Sequence, residues 1–177
     1  MKKRILLSIL ALAGLGLYAQ TAVKVEVSFT YTRLSGSGSN QFAVWIEDAQ
    51  GRYVKTLYAT RFTALGGWKK RDLSIPQWVK QSGLAAMSQS QIDAITSPTP
   101  QTGGVRYVWD GTDSAGRAVP AGEYKVFVEA SLRNENRVIY TAPVQVGGKP
   151  AQVTAQAHYF GLSTAERGMI GPVTVKY

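Results

Sequence analysis

Residues 93–104 read DAITSPTPQTGG and set the hydroxyls of Thr96, Ser97, Thr99 and Thr102 behind the carboxylate of Asp93. A Ser or Thr hydroxyl acts as a nucleophile only when a base or another enzyme activates it. On an exposed loop it can enter a second enzyme's active site as an acceptor. The bland alternative is a plain connection, since Ser, Thr, Pro and Gly are also the residues of loops.

Other groups that could do chemistry are sparse. His158 is the only histidine and there is no cysteine, so a His/Cys metal cluster is excluded. A Ser-His-Asp arrangement would need His158 as its base, yet no nucleophile-elbow sequence accompanies it. Asp110 and Asp113 in DGTDSAG invite a Ca²⁺ reading, but the spacing lacks the closing bidentate Glu of such a loop. Asx-turns, in which these carboxylates accept their own backbone N–H groups, explain both residues more simply. Trp45 and Trp109 lie inside apolar runs and read as core. Trp68 and Trp78 flank an irregular stretch, where they either form a sugar-stacking surface or pack that stretch down; packing is the simpler account.

The elements that must position these groups follow from periodicity. The chain has 177 residues, enough for one domain with a proper core. MKKRILLSILALAGLGLYAQ has a basic start, a short apolar run and a small residue at Ala19, the signature of a secretory signal peptide over residues 1–19. The expected mature domain is therefore 20–177, exported, with no transmembrane segment after cleavage. The absence of Cys rules out disulfides and a lipid-modified cysteine, so the core must hold by packing alone. The whole chain carries +9, and removal of Lys2, Lys3 and Arg4 leaves +6. The remaining cations are scattered apart from Lys69-Lys70-Arg71, which reads as a solvated basic loop in preference to the alternative, a mild affinity for anionic surfaces. Export and scatter argue against a nucleic-acid partner.

TAVKVEVSFTYTRL alternates strictly, with Val23, Val25, Val27, Phe29 and Tyr31 on one face, and predicts a half-buried strand. SGSGSN is a turn signal. QFAVWIED and RYVKTLYA predict a hairpin whose loop uses Gly51 at positive φ. The strand pattern then fades over residues 61–104. Pro76 and Gly83 bracket a short helix, and LAAMSQSQIDAI holds a second helical turn. VRYVWD, EYKVFVEASL, RVIYTAPVQV, AQVTAQAHYF and PVTVKY read as further strands. The expected fold is all-β: an antiparallel Ig-like sandwich of roughly seven or eight strands with a short helical or irregular insertion around residues 61–104.

FAVWIEDAQGRYVKTL, followed by IDAITSPTPQTGGVRYVWDGTDSAGRAVPAGEYKVFVEA, resembles the predicted periplasmic proteins grouped as domain of unknown function 2271. From Trp109 to Ala130 the chain also resembles the Ig-like module of flagellar hook-capping proteins, which bears on fold and not on flagellar function. Members of the first family carry Asp-Ala-Val-Thr-Gly-Ala-Thr where this chain has DAITSPT. That form is similar to the acceptor signal for covalent attachment of FMN by a periplasmic flavin transferase, through a phosphodiester to the last Thr. The resemblance implies Thr99 as the attachment residue and Asp93 as the leading recognition residue. It implies a flavin transferase and membrane electron-transfer proteins as partners. Ser97 and Pro98 stand where the family has Gly and Ala.

Two functions follow. The first is an exported non-catalytic β-sandwich, periplasmic or otherwise outside the cytoplasm, without cofactor, that binds an unknown envelope protein or ligand or serves structurally. The alternative is a periplasmic electron carrier with FMN on Thr99. Neither requires a catalytic residue or a metal.

Overall fold

The computed structural model describes residues 23–35, 40–133, 136–161 and 167–177. The signal peptide expected at 1–19 and most of the SGSGSN turn, residues 36–39, lie outside the described residues. Strand β1 (Val25–Tyr31) buries Val25, Val27, Phe29 and Tyr31, the face its alternation predicts. β2 (Gln41–Asp48) and β3 (Tyr53–Thr60) form the expected hairpin, and Gly51 takes φ 75° in its turn.

The insertion then packs as short helices: α1 (Arg61–Ala64), a 3-10 turn at Gly67–Lys69, α2 (Pro76–Ser82), a 3-10 turn at Leu84–Ala86 and α3 (Gln89–Ile95). Pro76 opens α2 and Gly83 closes it at φ 65°, as the sequence predicts. A two-residue strand β4 (Thr96–Ser97) follows, then β5 (Gly103–Trp109), β6 (Gly122–Arg133), β7 (Asn136–Val146), β8 (Gln152–Thr154), β9 (Gln156–Phe160) and β10 (Thr174–Lys176).

The strands form two sheets, ordered β5-β1-β10-β8 and β4-β3-β2-β6-β7-β9. All pairings are antiparallel except β3 with β4, which is parallel, so the larger sheet is mixed. The chain is mostly β and consistent with a β-sandwich. Ten strands are described where seven or eight were expected. One extra strand arises because AQVTAQAHYF divides at buried Ala155. Its first part pairs with β10 in the smaller sheet and its second with β7 in the larger. Alternation marks which residues face inward, but it carries no label for the sheet.

The core has two compartments. Between the sheets lie Val25, Val27, Phe29 and Tyr31 of β1 against Phe42, Val44, Ile46, Val126, Val128, Val138 and Tyr140. On the outer face of the larger sheet, Ala43, Trp45, Ala59, Phe127 and Ile139 meet Ala64, Ile75, Trp78 and Leu84 from the insertion. β2 is consequently buried on both faces, and the insertion forms a third layer. At about 25 cal/mol per Å² of apolar area, each large side chain buried here stabilises by roughly 1.5–3 kcal/mol.

Candidate functional site

The Asp93–Thr99 segment is built from the helix that precedes it. Ser88 caps α3: its Oγ accepts the Gln91 N–H at 3.3 Å, and Gln91 Oε1 accepts the Ser88 N–H at 2.8 Å. One helical turn into α3, Gln89 Nε2 donates to Asp93 Oδ1 at 2.9 Å and orients the exposed carboxylate. The helix runs straight into β4, where Thr96 pairs with Ala59 and Ser97 with Thr60 along the edge of the larger sheet. Pro98 has no N–H to extend that ladder and stops it. Its carbonyl instead accepts the Tyr58 hydroxyl at 3.3 Å. Thr99 and Pro100 are half-buried, and Thr102 Oγ1 accepts the Arg33 N–H at 3.0 Å. Beneath the segment, Tyr58 packs on Phe42 and Tyr107, with ring centroids 4.7 and 4.9 Å away. Burial raises both tyrosine pKa values and keeps the Tyr58 hydroxyl a donor. The segment is thus an anchored sheet edge that leaves Asp93, Ser97 and Pro98 exposed.

What anchors the insertion is a buried polar cluster that alternation assigns to solvent. Glu129 on β6 is fully buried, and its carboxylate accepts the N–H groups of Trp78 at 2.7 Å and Gln77 at 3.2 Å. Arg137 on β7 adds an ion pair at 3.0 Å and lies over the Phe160 ring. Burial pushes the Glu129 carboxyl up from its ordinary range, against the downward pull of Trp78, Gln77 and Arg137. Ser131 accepts the Ile75 N–H at 2.8 Å and donates to the Leu73 carbonyl at 2.8 Å. These bonds hold Ile75 at φ 45°, ψ 57°, a left-handed conformation costly for a β-branched residue. On β3, register shifts opposite Val44/Trp45 and Ile46/Glu47 bring Thr56 onto the same face, where it accepts the Trp78 indole N–H at 2.9 Å.

Sequence reasoning missed Glu129 and Ser131 because each occupies an outward position in its strand, and Thr56 because the register shifts that turn it outward leave no local mark in the sequence. The usable signal was on the same parity: Phe127 beside Glu129, and Trp45 on β2, place large apolar groups on a face that something must cover. Trp78, a surface candidate in sequence, is fully buried as the wedge between insertion and sheet; Trp68 is half-buried. Trp45 and Trp109 are fully buried, as expected.

The remaining candidates separate. Asp110 Oδ1 accepts from the Thr112 N–H at 3.1 Å and hydroxyl at 2.7 Å, and pairs with Lys55 at 3.0 Å. Partial burial would raise this carboxyl, but the Thr112 and Lys55 bonds outweigh it and lower it to about 2. Asp113 Oδ1 accepts the N–H groups of Ala115 and Arg117, both at 2.9 Å. Both aspartates form the Asx geometry that the sequence favours. His158 is exposed on edge strand β9, edge-on to Phe160 at 4.5 Å, and no described hydrogen bond joins it to either aspartate.

The profile of the predicted periplasmic proteins grouped as domain of unknown function 2271 matches residues 22–161. The chain belongs to this family. The domain of unknown function 2271 thereby spans β1 to β9, including the whole insertion and the Asp93–Thr99 segment; β10 lies beyond the match. No curated protein and no solved structure matches the chain. Among the described residues no helix is long and apolar enough to cross a membrane.

Proposed function

We propose that this periplasmic-family protein is an Ig-like, non-catalytic envelope domain that presents its Asp93–Thr99 segment to a partner. The observation that carries this reading is the anchoring of the segment. Helix α3, the β4 edge pairing and the Tyr58–Pro98 bond hold it in one conformation while Asp93, Ser97 and Pro98 remain exposed. A preorganised surface of this kind loses little entropy on binding.

A second, more specific reading makes the same surface an acceptor for covalently bound FMN, with Thr99 as the attachment residue and Asp93 as the recognition residue. Backbone conformation favours it. Ser97 is extended in β4 and is not among the described residues with positive φ, so the position that is Gly in relatives makes no demand here for Gly. Pro98 follows that strand with the φ of about −65° that its ring imposes. Half-buried Thr99 has a side-chain hydroxyl with no hydrogen bond among those described, which suits phosphodiester formation. The residues therefore fit the group. When bound, flavin supplies one- and two-electron transfer, and the chain would supply position and partial shielding at the sheet edge.

Intact mass after co-expression with a periplasmic flavin transferase tests the second reading. An added FMN-sized mass that disappears in Thr99→Ala supports the carrier; an unmodified wild type rejects it. Loss of partner capture from envelope extracts upon Asp93→Ala or Ser97→Ala tests the broader one, and capture unchanged by both variants rejects it.

A further inference from the structure

The outer surface of the insertion carries a pattern that neither the sandwich nor the Asp93–Thr99 segment uses. The exposed large apolar side chains among the described residues are Phe62, Leu65, Leu73 and Val108, with relative exposures of 43, 46, 44 and 44%. All but Val108 fall within residues 61–73, RFTALGGWKKRDL, which also hold Arg61, Lys69, Lys70 and Arg71 against a single acid, Asp72. We propose that this surface docks the protein onto an anionic lipid bilayer, with Phe62, Leu65 and Leu73 entering the interface and Arg61, Lys69 and Lys70 meeting lipid phosphates.

The geometry gathers two parts of this set, Phe62 with Arg71 and Leu65 with Trp68 and Lys69. The Phe62 ring lies against Gly67, where a side chain on the glycine would collide with it, and the Arg71 guanidinium sits over that ring at 5.6 Å. The Arg71 N–H bonds the Gly67 carbonyl at 2.9 Å and closes the turn. Leu65, Trp68 and Lys69 line a shallow depression on the same stretch, and the Lys69 ammonium stands over the Trp68 ring at 5.5 Å. Thr63 and Ala64 of the same stretch, and Ser74 and Ile75 directly after it, are buried inward, so apolar side chains left outward are not simply unfinished core. Glu129 and Ser131 hold that inward side to the sheet, which keeps the outer groups displayed.

Charge complementarity and half-exposed apolar side chains set among cations favour a lipid surface as the occupant. Interfacial binding combines shallow insertion of aromatic and aliphatic groups with attraction of Lys and Arg to anionic headgroups. Lys69 and Lys70 make no ion pair among those described, so both ammonium groups are available to phosphates. Gln89 and Ile92 of α3 line the same depression, so docking here would set the Asp93–Thr99 segment beside the membrane. The proposal does not depend on a flavin or on a particular partner for that segment.

Vesicle co-sedimentation of the mature chain tests it, with phosphatidylcholine alone compared with phosphatidylcholine containing ~30 mol % phosphatidylglycerol. Binding should require the anionic lipid and fall steeply between low salt and roughly 0.5 M salt. Lys69→Glu with Lys70→Glu should weaken binding by at least roughly tenfold. Phe62→Ser with Leu65→Ser should weaken it similarly at low salt, with an unchanged melting temperature showing that the fold is intact. No binding to anionic vesicles, equal binding to both compositions, or binding insensitive to both variants would overturn the proposal. Capture of an acidic protein through Lys69 and Lys70 without vesicle binding would also overturn it, in favour of a protein partner.

Discussion

The Glu129 carboxylate, in the middle of β6, accepts the backbone N–H of Trp78 at 2.7 Å across 51 positions of sequence. One side chain thereby satisfies two free N–H groups at the start of α2, pairs with Arg137 and fixes the insertion to the sheet.

Glu129→Gln should destabilise the protein by roughly 2–4 kcal/mol, because it leaves Arg137 without its buried counter-charge and sets an amide NH₂ against either the Trp78 N–H or the Gln77 N–H and Arg137. The loss should be local first. Hydrogen exchange should accelerate at Gln77, Trp78 and Val79 before the inter-sheet core of β1 and β2, and Trp78 emission should shift to the red. Uniform acceleration across both regions would show that Glu129 does not act through the insertion.

Glu47 predicts the opposite sign. It is 4% exposed, and the Trp45 indole N–H donates to it at 2.7 Å. Burial pushes its carboxyl up despite that bond and the nearby Lys125. An acid with a raised folded pKa binds its proton more tightly when folded, so wild-type stability is penalised at neutral pH and recovers as pH falls towards the unfolded value of about 4.3. Glu47→Gln keeps an acceptor for Trp45 and removes the charge. It should raise the melting temperature by roughly 2–4 °C at pH 7, with the gap closing near pH 4. A lower melting temperature at pH 7 would rule this out; thermal scans by circular dichroism across pH measure it.

Two loops use one turn. In DAQGR and DSAGR the aspartate Oδ1 accepts N–H groups two and four residues on, and the glycine has φ 75° at Gly51 and 77° at Gly116. Gly51→Ala and Gly116→Ala should therefore cost about the same, roughly 1–2 kcal/mol each. Neither position offers a close steric contact to separate them. Urea titration of both variants checks this, and a difference of more than about 1 kcal/mol would show that the turns are not equivalent.

Tyr58→Phe removes the hydroxyl that holds the Pro98 carbonyl and leaves the ring among Phe42 and Tyr107. Global stability should fall by only about 1 kcal/mol. Cleavage within residues 93–102 by a broad-specificity protease should rise several-fold. Unchanged cleavage would show that β4 and α3 suffice to anchor the segment.

Much of the fold was legible because strands half-buried in a sandwich must alternate. The inward faces of β1, β2, β6 and β7, the Gly51 hairpin and the Pro76–Gly83 helix all follow from local rules. The Asp93–Thr99 segment was legible as a site of interest, through its residue types and its resemblance to a family motif. Its anchoring was not, since the Tyr58–Pro98 bond and the β3–β4 pairing join residues about forty positions apart.

By itself, the order of residues determined which positions face a core, where turns fall and that the core holds without cysteine, since each depends on neighbours a few residues away. Only the tertiary structure decided what covers each outward face. Alternation makes Glu129 and Ser131 outward, and outward means solvent unless a distant segment packs there. Thr56 shares the parity of core-facing Val54 and Tyr58 and joins Glu129 and Ser131 on the outward face only through the register shifts of β3. Residues 61–95 do pack there, turning Glu129, Ser131 and the bulge-displaced Thr56 into a buried clamp and leaving Phe62, Leu65 and Lys69 as the new surface.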